Sequence, residues 1–336
     1  MPLRKSVLTT FLFIFASLGS AVTQAQKPAH PLLGTGRGID HVGIGVRSLE
    51  KARLDYEQVL GFRCTENLPS VSGLAAFRSI ISFEDGTVLE FLAPPQQGPG
   101  VKSELAAWVE KHEGGVSLAL EASSATRAAA YLEAHNFEVK VSGWPKVTKE
   151  GETKQLPVQY YSVSTPDTPT GNNQVFGVWM WLVEYVSPKR PARFAARRAQ
   201  GLMAHPNTAR RLHSVWFAVR NLDASLWNLR DAGLEPGEAR DSRFLSARGR
   251  EVKAGQGSML VLEPVDEKSA LSKFLSNYDD GSIIAVSIEV SDLNKARSWV
   301  KGHSVHKIEL YNGYYGRSIL IPPDLTHGVW MEFIQR

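Results

Sequence analysis

The sequence has a single cysteine, Cys64, among its 336 residues, so no disulfide can form within the chain. A fold without cross-links has to be held by its core, and a chain of roughly 300 residues is long enough to build one. Cys64 follows a predicted helix in a β-prone segment. We therefore expect a buried, inert thiol at this position and not a catalytic nucleophile.

Several enzyme signatures are missing as well. The sequence contains no Cys-x-x-Cys pair, no Walker loop and no nucleophile elbow. Three alternating glycines, Gly34, Gly36 and Gly38, precede the first predicted strand instead of following one. A dinucleotide-binding turn follows its strand, so we interpret these glycines as a flexible lead-in.

Neither sign of charge dominates the chain. It has 38 Lys and Arg against 34 Asp and Glu, a formal charge of +4, and loss of residues 1–25 would remove two basic and no acidic residues, leaving about +2. No stripe of basic residues with interleaved aromatics is present, so we predict no nucleic-acid partner. One local basic cluster is interpreted as the solvated face of a linker helix. It comprises Lys189, Arg190, Arg193, Arg197 and Arg198.

Long apolar runs are scarce, and the longest lies at the N-terminus. Arg4 and Lys5 precede the 12-residue run Val7–Leu18, and small residues follow, with cleavage points at Ala21 or Ala25. This is the pattern of a secretory signal peptide. A membrane span needs about 20 apolar residues, so a retained anchor is the less favoured alternative. We predict a periplasmic or secreted protein with no stable membrane span after signal cleavage.

A strand, a helix and a closing strand hairpin recur four times. In the first copy, alternating apolar residues over 39–46 predict a strand, Ser48 is a good helix N-cap, and Gly61 suits the helix C-terminus. The first copy closes with a strand over 87–92. The other copies open with the same kind of strand, at residues 116–120, 212–219 and 284–290. Four copies in one chain are strong grounds for a repeat architecture.

These motifs resemble those of the vicinal-oxygen-chelate superfamily. That superfamily includes glyoxalase I, extradiol dioxygenases, methylmalonyl-CoA epimerase, and fosfomycin- and bleomycin-resistance proteins. The resemblance rests on the Asp40-His41-Val42 strand opening, the Ser48–Ala52 helix start, the Leu60-Gly61-Phe62 helix end and the Asp85–Glu90 hairpin. It implies an α+β fold in which four βαβββ modules pair into two open, curled β-barrels. The first half looks most like the glyoxalase-like domain branch, and the motifs leave the reaction open.

The repeat and the resemblance together divide the chain. The predicted order is a signal peptide (1–25), a flexible lead-in (26–37), a first glyoxalase-like domain (38–190, modules 38–94 and 115–187), a linker (191–210) and a second such domain (211–336, modules 211–265 and 282–335).

The resemblance also implies metal ligands on the first and last strands of the paired modules. In the first pair these positions fall on His41, Glu90, Ser117 and Glu184. Imidazole and carboxylate ligands suit Zn, Mn, Fe or Ni, and the weak ligand Ser117 would leave a coordination position open. We therefore expect a divalent metal ion at His41, Glu90 and Glu184, with one of the two glutamates as general base.

In the second pair of modules, fewer of the four ligand positions carry a residue that can bind a metal ion. Strict counting places Ser214 in the first position, so His213 would reach it only through a one-residue shift, and Ala285 cannot bind a metal ion. Glu332 fits its position. We interpret His213 and Glu332 as weaker ligands of a degenerate or substrate-shaping half.

Each proposed ligand has a structural alternative. A histidine at the start of an apolar strand is often a hydrogen-bonded core residue, and a glutamate between apolar neighbours is often on the solvent face of an edge strand. Carboxylates that point into a barrel, however, require a cation or hydrogen-bond donors. Tyr311, Tyr314 and Tyr315 either line a cavity mouth or fill half-buried strands.

The resemblance favours a metal-dependent lyase or isomerase that acts on a small molecule with two adjacent oxygens. Dioxygenase activity is less favoured, because the family's dioxygenases use two histidines and one glutamate in the second pair of modules, and a second histidine is missing there. The alternatives are a binding or sequestration protein of the bleomycin-resistance type and a dimerising envelope module with a relic site. A homodimer is compatible with each of these functions.

Overall fold

The structure is a computed structural model. It describes residues 30–66, 68, 76–94, 103–143, 146–149, 152–155, 158–164, 174–175, 177–185, 189–242 and 245–336. The predicted signal peptide over residues 1–25 lies outside these ranges. No helix within them is long and apolar enough to cross a membrane.

The first half contains ten strands and three helices in the described ranges. Its strands are β1 (Gly38–Gly45), β2 (Phe77–Ser82), β3 (Val88–Ala93), β4 (Gly114–Glu121), β5 (Glu138–Gly143), β6 (Lys146–Lys149), β7 (Glu152–Gln155), β8 (Val158–Ser164), β9 (Gln174–Val175) and β10 (Val178–Tyr185). Its helices are α1 (Leu49–Leu54), α2 (Glu104–Lys111) and α3 (Ala125–Ala134).

Helix α4 (Lys189–Ala199) connects the halves, and the second half repeats the same order of elements. Its strands are β11 (Ala209–Ala218), β12 (Pro236–Ala239), β13 (Ala247–Ala254), β14 (Gly257–Pro264), β15 (Ser282–Val290), β16 (Leu310–Gly313), β17 (Gly316–Ile321) and β18 (Trp330–Ile334). Its helices are α5 (Leu222–Asp231), α6 (Ala270–Leu275) and α7 (Leu293–His303).

Helix α1 begins where its sequence predicts, and its π-helical extension ends close to the predicted Gly61. The Ser48 hydroxyl accepts a hydrogen bond from the Lys51 backbone N–H at 3.2 Å, which satisfies one of the free donors of the first turn. The helix then widens into a single π-helical turn over Asp55–Val59. The chain leaves it at Gly61, whose φ of +76° lies in the left-handed region that glycine adopts without strain.

One sheet of 16 strands runs through both halves. In each half, the opening strands of the two modules pair antiparallel, β1 with β4 and β11 with β15. Each opening strand also pairs parallel with the closing strand of its own module. The halves join where Gly115 of β4 pairs with Ile283 of β15. The sheet is curled and does not close.

Both antiparallel pairs carry a bulge near the start of the opening strand. The register of β1 on β4 shifts between Ile39 and His41, which leaves Asp40 as the extra residue. The register of β11 on β15 shifts in the same way between Leu212 and Ser214, which leaves His213 extra. An extra residue re-aims the side chains around it, so Asp40 and His213 occupy equivalent and unusual positions.

The two faces of the curled sheet have different roles. The convex face packs against α1, α3, α5 and α7 and forms one apolar core that extends through both halves. The concave face of the first half packs against Leu105 and Val109 of α2. The concave face of the second half packs against Leu271 and Leu275 of α6. The halves therefore share a core, while each keeps its own concave face.

Polar contacts also join the halves near the π-helical turn. The Tyr56 hydroxyl donates to the Thr326 carbonyl oxygen at 3.0 Å. The His327 ring lies between two carboxylates, with Nδ1 3.0 Å from Glu113 Oε2 and Nε2 3.0 Å from Asp55 Oδ2. The φ of His327 is +57°, in the left-handed region, as in a turn residue.

The α+β fold of four modules is confirmed. Modules two to four each show a strand, a helix and three further strands, and the second module carries in addition the β6–β7 hairpin and the two-residue strand β9. In the first module, an isolated bridge between Leu68 and Arg78 takes the place of one strand among the described residues. Cys64 is buried, and burial raises the pKa of its thiol, as expected for an inert residue.

Candidate functional site

The concave face of the first half collects three of the four predicted ligands. In the parallel register His41 stands beside Val88 and Gly43 beside Glu90, so His41 and Glu90 share a face. Ser117 pairs with Gly43 across β4. A Cβ atom on Gly43 would lie 2.2 Å from Ser117 Oγ, so the glycine makes room for that hydroxyl beside β1. The structure therefore brings His41, Glu90 and Ser117 together.

Both nitrogens of the His41 ring face a carboxylate. Nδ1 donates to Asp40 Oδ2 at 2.8 Å, and Nε2 lies 3.8 Å from Glu90 Oε2. The His41 side chain is 14% exposed, so it lies at the concave surface without being sealed in the core. Since Asp40 holds Nδ1, the second nitrogen is the one free to exchange a proton with a bound molecule.

Asp40 is a carboxylate held in the β-bulge by several donors. It is 1% exposed, and besides His41 it accepts a hydrogen bond from the Tyr185 hydroxyl at 2.7 Å and one from Arg37 Nη2 at 3.2 Å. Burial alone would raise the pKa of Asp40, but the hydrogen bonds and charges of His41 and Arg37 outweigh burial and lower it. Asp40 is thus ionised at neutral pH and orients the His41 ring.

The pKa of His41 is shifted upwards. Burial favours the neutral ring, but the hydrogen bond and charge of Asp40, together with the charge of Glu90, raise the pKa above its ordinary value of 6.5. The stabilisation from ring protonation is therefore complete below the unfolded-state pKa and is lost as pH rises through the folded-state pKa. In the second half, burial and the nearby Arg211 and Arg336 lower the pKa of His213 to about 4.

We predict that an NMR titration of the histidine rings will separate these two residues. The His41 signal should titrate above pH 6.5 and the His213 signal near pH 4. The spectra of His41→Gln and His213→Gln, each of which lacks one ring signal, assign the two signals. Asp40→Asn should lower the pKa of His41, because it removes the negative charge that favours the imidazolium. An unchanged His41 pKa in that variant would show that Asp40 does not control the ring.

Arginines form the remaining wall of this face. Arg78 Nη1 lies 2.9 Å from Glu90 Oε1, and Arg197 Nη1 donates to Ser82 Oγ at 2.7 Å. Burial and the like charges of Arg193 and Arg78 lower the pKa of Arg197 to about 10. Arg197 therefore reaches from α4 to β2. The interpretation of this basic cluster as a solvated linker face is wrong for Arg197.

Glu184 is on the other face of the sheet. Trp181 and Val183 pair with Ala119 and Glu121 across β4, and they lie on the concave side. Glu184, between Val183 and Tyr185, points to the convex side, where Oε2 accepts the backbone N–H of Ala125 at 2.7 Å. It satisfies a free donor at the start of α3, where a negative charge also favours the helix dipole.

We predict that Glu184→Ala lowers the free energy of unfolding by about 1 kcal/mol and leaves the His41 site unchanged. Glu184→Gln keeps an acceptor oxygen and should lose less. Urea unfolding measures the stability, and the NMR pKa of His41 reports on the site. A shifted His41 pKa in Glu184→Ala would place the two residues in one site after all.

A divalent metal ion does not fit the residues that the structure places here. His41 Nε2 and Glu90 Oε2 are 3.8 Å apart, a spacing that two ligands of one ion could adjust to. Glu184 cannot join them, Ser117 is a weak ligand, and the Arg78 guanidinium beside Glu90 opposes a cation. In the described ranges no three His, Cys, Asp or Glu side chains cluster to hold a metal ion. Three protein ligands are the usual minimum, so we derive no step through a metal.

Glu332 lies on the concave face of the second half and is fully buried. Its carboxyl group accepts hydrogen bonds from the hydroxyls of Tyr311 at 2.6 Å and Ser287 at 2.7 Å. Burial raises the pKa of Glu332, although these hydrogen bonds lower it. Its neighbours on this face include Trp216 and Leu260, which pack against α6. Side chains therefore fill this face.

His213 does not join Glu332. Its Nε2 lies 3.3 Å from Arg336 Nη1, its ring packs edge-on against Tyr315, and its Nδ1 has no hydrogen-bond partner among the described residues. Ser214 stands at the position equivalent to His41, following the extra residue His213, and pairs with Ser287 and Ser258. Since His213 and Glu332 do not come together, we take the first concave face as the candidate site.

Sequence reasoning missed four residues of the site. Asp40 precedes the histidine, but only the bulge turns its carboxylate toward the ring. Arg78 and Arg197 come from β2 and α4, far from the recurring motifs. Tyr185 was passed over for its neighbour Glu184, which lies on the other face of the strand. The Asp40-His41 dipeptide was the one available signal.

Comparisons with known proteins agree with this architecture. A 4-hydroxymandelate synthase mutant from Streptomyces coelicolor superimposes with a TM-score of 0.63 at 15% identity, over 90% of this chain and 93% of that one. A hypothetical protein from Staphylococcus aureus gives 0.56 at 10% identity, over 89% of this chain and 98% of that one. At these identities the likeness shows the fold alone. No curated protein matches the sequence.

The family comparison is more specific. The glyoxalase-like domain family matches residues 39–234, which is more than half of the chain and includes the whole first concave face. The chain therefore belongs to the glyoxalase-like domain family.

Proposed function

We propose that the first concave face is the active site of an enzyme that moves a proton on a small oxygenated compound. The observation that carries this proposal is the pairing of Asp40 with His41. Asp40 Oδ2 lies 2.8 Å from His41 Nδ1, which leaves Nε2 facing the concave side. An imidazole oriented by a buried carboxylate is an effective general acid and base near neutral pH.

The chemistry that suits this arrangement is proton abstraction beside a carbonyl group. His41 Nε2 takes the proton, and the electron pair of the broken C–H bond moves onto the carbonyl oxygen as an enolate. Return of the proton to carbon gives an isomerase, whereas loss of a leaving group from the next carbon gives a lyase. The positive charge of Arg78 and Arg197 favours the enolate oxygen.

A second candidate function is binding without turnover. The observation that favours it is the arginine wall, since Arg78 and Arg197 can hold a ligand whether or not His41 reacts. In this case the protein would sequester a small molecule. Dioxygenase activity stays less favoured, because side chains fill the second concave face and its two buried carboxylates, Glu332 and Glu251, are already held by hydrogen bonds and ion pairs.

Export to the periplasm or the medium is also part of the proposal, and it rests on the sequence of residues 1–25 alone. N-terminal sequencing of the mature protein after fractionation of expressing cells tests it. A new N-terminus after Ala21 or Ala25 supports export, and an intact Met1 in the cytoplasmic fraction contradicts it.

The proposed reaction is tested by hydrogen–deuterium exchange. A panel of small 2-oxo acids, 2-hydroxy ketones and their thioesters is incubated with the mature protein in D2O, and NMR follows loss of the proton beside the carbonyl. We expect enzyme-dependent exchange for one compound class. Binding of a compound with no exchange in any of them would reject the enzyme and support the binding protein.

A further inference from the structure

We infer that the molecule bound on the first concave face carries an anionic group, a carboxylate or a phosphate, and that Arg78 and Arg197 hold this group. The inference rests on the proposed function only in taking this face as the functional one. It adds the chemical class of the ligand and assigns α4 a part in binding.

The first observation is that the Arg197 guanidinium has few hydrogen-bond partners within the described ranges. Arg197 comes from α4, which connects the halves, and its guanidinium reaches β2 and donates to Ser82 Oγ at 2.7 Å. No carboxylate of the described residues forms a salt bridge with Arg197, although the side chain is half-buried. A guanidinium has five N–H donors, so one hydroxyl leaves most of them available.

The second observation is a buried donor atom on Arg78. The Arg78 side chain is 16% exposed, and Nη1 contacts Glu90 Oε1 at 2.9 Å. Its Nε is buried and has no hydrogen-bond partner among the described residues. A buried donor without an acceptor costs about 1–3 kcal/mol, so the arrangement is explained if a ligand supplies the acceptor.

The local charge balance is the third observation. Arg78 and Ser82 point from β2 to the same side of the sheet as Glu90, because Ile80 pairs with Glu90 and side chains alternate along the strand. Arg197 reaches this side through Ser82, and Arg193 lies one helical turn away on the same side of α4. The guanidinium groups of Arg78, Arg193 and Arg197 therefore lie near Glu90, whereas the other carboxylates of this face, Asp40 and Glu121, are paired with Arg37.

An anion is the ligand that this balance requires. Like charges packed together with little water repel one another, and an anionic group between them removes the repulsion. Guanidinium groups bind carboxylate and phosphate oxygens in the same forked geometry. A neutral sugar or an apolar compound would bring no negative charge to the arginines, and a cation would add to the repulsion.

The test measures anion binding directly, with sodium oxalate as the carboxylate probe and inorganic phosphate as the other. Isothermal titration calorimetry of the mature protein is run at constant ionic strength set with sodium chloride. We expect one anion to bind with one site per chain and the Arg197→Gln variant to bind it about 10- to 100-fold more weakly. Which anion binds identifies the carboxylate or the phosphate as the recognised group.

Arg198→Gln is the matched control. Arg198 is the next residue of α4 and is exposed, so its replacement should leave the affinity unchanged. Arg197→Lys keeps the charge without the fork and should fall between the wild type and Arg197→Gln. Thermal unfolding in chloride confirms that each variant is folded. Equal affinity in the wild type and Arg197→Gln, or no binding of either anion by the wild type, would overturn the inference.

The same variants separate this inference from the proposed reaction. If an anion binds through Arg197 but His41→Gln leaves deuterium exchange unchanged, the anion site stands and the proton-transfer function fails. If exchange depends on His41 while neither anion binds, the reaction stands and the anion site fails.

Discussion

Replacing His41 with glutamine is expected to lower the rate of carbon–hydrogen exchange by about 10²–10⁴-fold. Glutamine keeps a similar size and can still hydrogen-bond to Asp40, but it cannot take up a proton. The affinity for the anionic probe should stay within a few-fold of the wild type, because Arg78 and Arg197 are unchanged. The measurement is the exchange rate at saturating substrate, followed by NMR in D2O.

The control for this variant is His135→Gln. His135 is exposed at the end of α3, where its Nδ1 contacts the Tyr131 carbonyl oxygen, so its loss should not alter exchange. Asp40→Asn should also slow the reaction, because the ring loses the carboxylate that fixes its orientation. Exchange at the wild-type rate in His41→Gln would remove the histidine from the mechanism.

Replacing Tyr56 with alanine is expected to destabilise the protein by about 3–5 kcal/mol. Tyr56 is fully buried, and its ring packs against Phe91 with centroids 4.5 Å apart and against Phe62 at 5.7 Å. Its hydroxyl also bonds the Thr326 carbonyl oxygen in the second half. The variant therefore opens a cavity in the shared core and leaves a buried acceptor unpaired.

Tyr56→Phe separates the two effects. It keeps the ring and removes the hydroxyl, so we expect a loss of about 1 kcal/mol. Trp227, which is 62% exposed on α5, provides a control, since Trp227→Ala should change stability by no more than about 0.5 kcal/mol. Urea unfolding gives all three values. A loss below about 1 kcal/mol in Tyr56→Ala would mean that the shared core does not depend on this residue.

The fold could be predicted because its signals are local and repeated. Ser48 caps α1 and Gly61 leaves its π-helical extension with a positive φ, and both follow from residue type alone. The recurring strand pattern predicted four modules, because each copy independently places apolar side chains against the same core. These signals depend on spacing within a few residues, and that spacing is readable in one sequence.

The site was harder to predict, because it depends on which face of a strand each residue occupies. Side chains alternate between the two faces of a strand, so an assignment that is wrong by an odd number of residues falls on the opposite face. The assignment of a ligand position to Glu184 was wrong in this way and fell on the convex side. The second half supplies the correct count: Glu332 pairs with Ser287 as Trp181 pairs with Ala119. The equivalent of Glu332 is therefore Trp181, which cannot act as a metal ligand.

The bulge and the arginine wall could not be predicted from spacing. Asp40 turns toward His41 only because the register of β1 shifts against β4, a strand more than 70 residues away along the chain. Arg197 of α4 meets Ser82 of β2 only in the folded chain, since the two residues are 115 positions apart. Both are tertiary contacts, and each changes the chemistry of the site more than any local motif does.

The central claim is that function belongs to the first concave face, with His41, and not to the second, with Glu332. Comparing His41→Gln with Glu332→Gln in the deuterium-exchange assay tests it most directly, after unfolding curves show that both variants are folded. Glutamine suits the buried Glu332 position, because it can still accept hydrogen bonds there. The account predicts that His41→Gln loses exchange and Glu332→Gln keeps it; loss in Glu332→Gln with full activity in His41→Gln would contradict it.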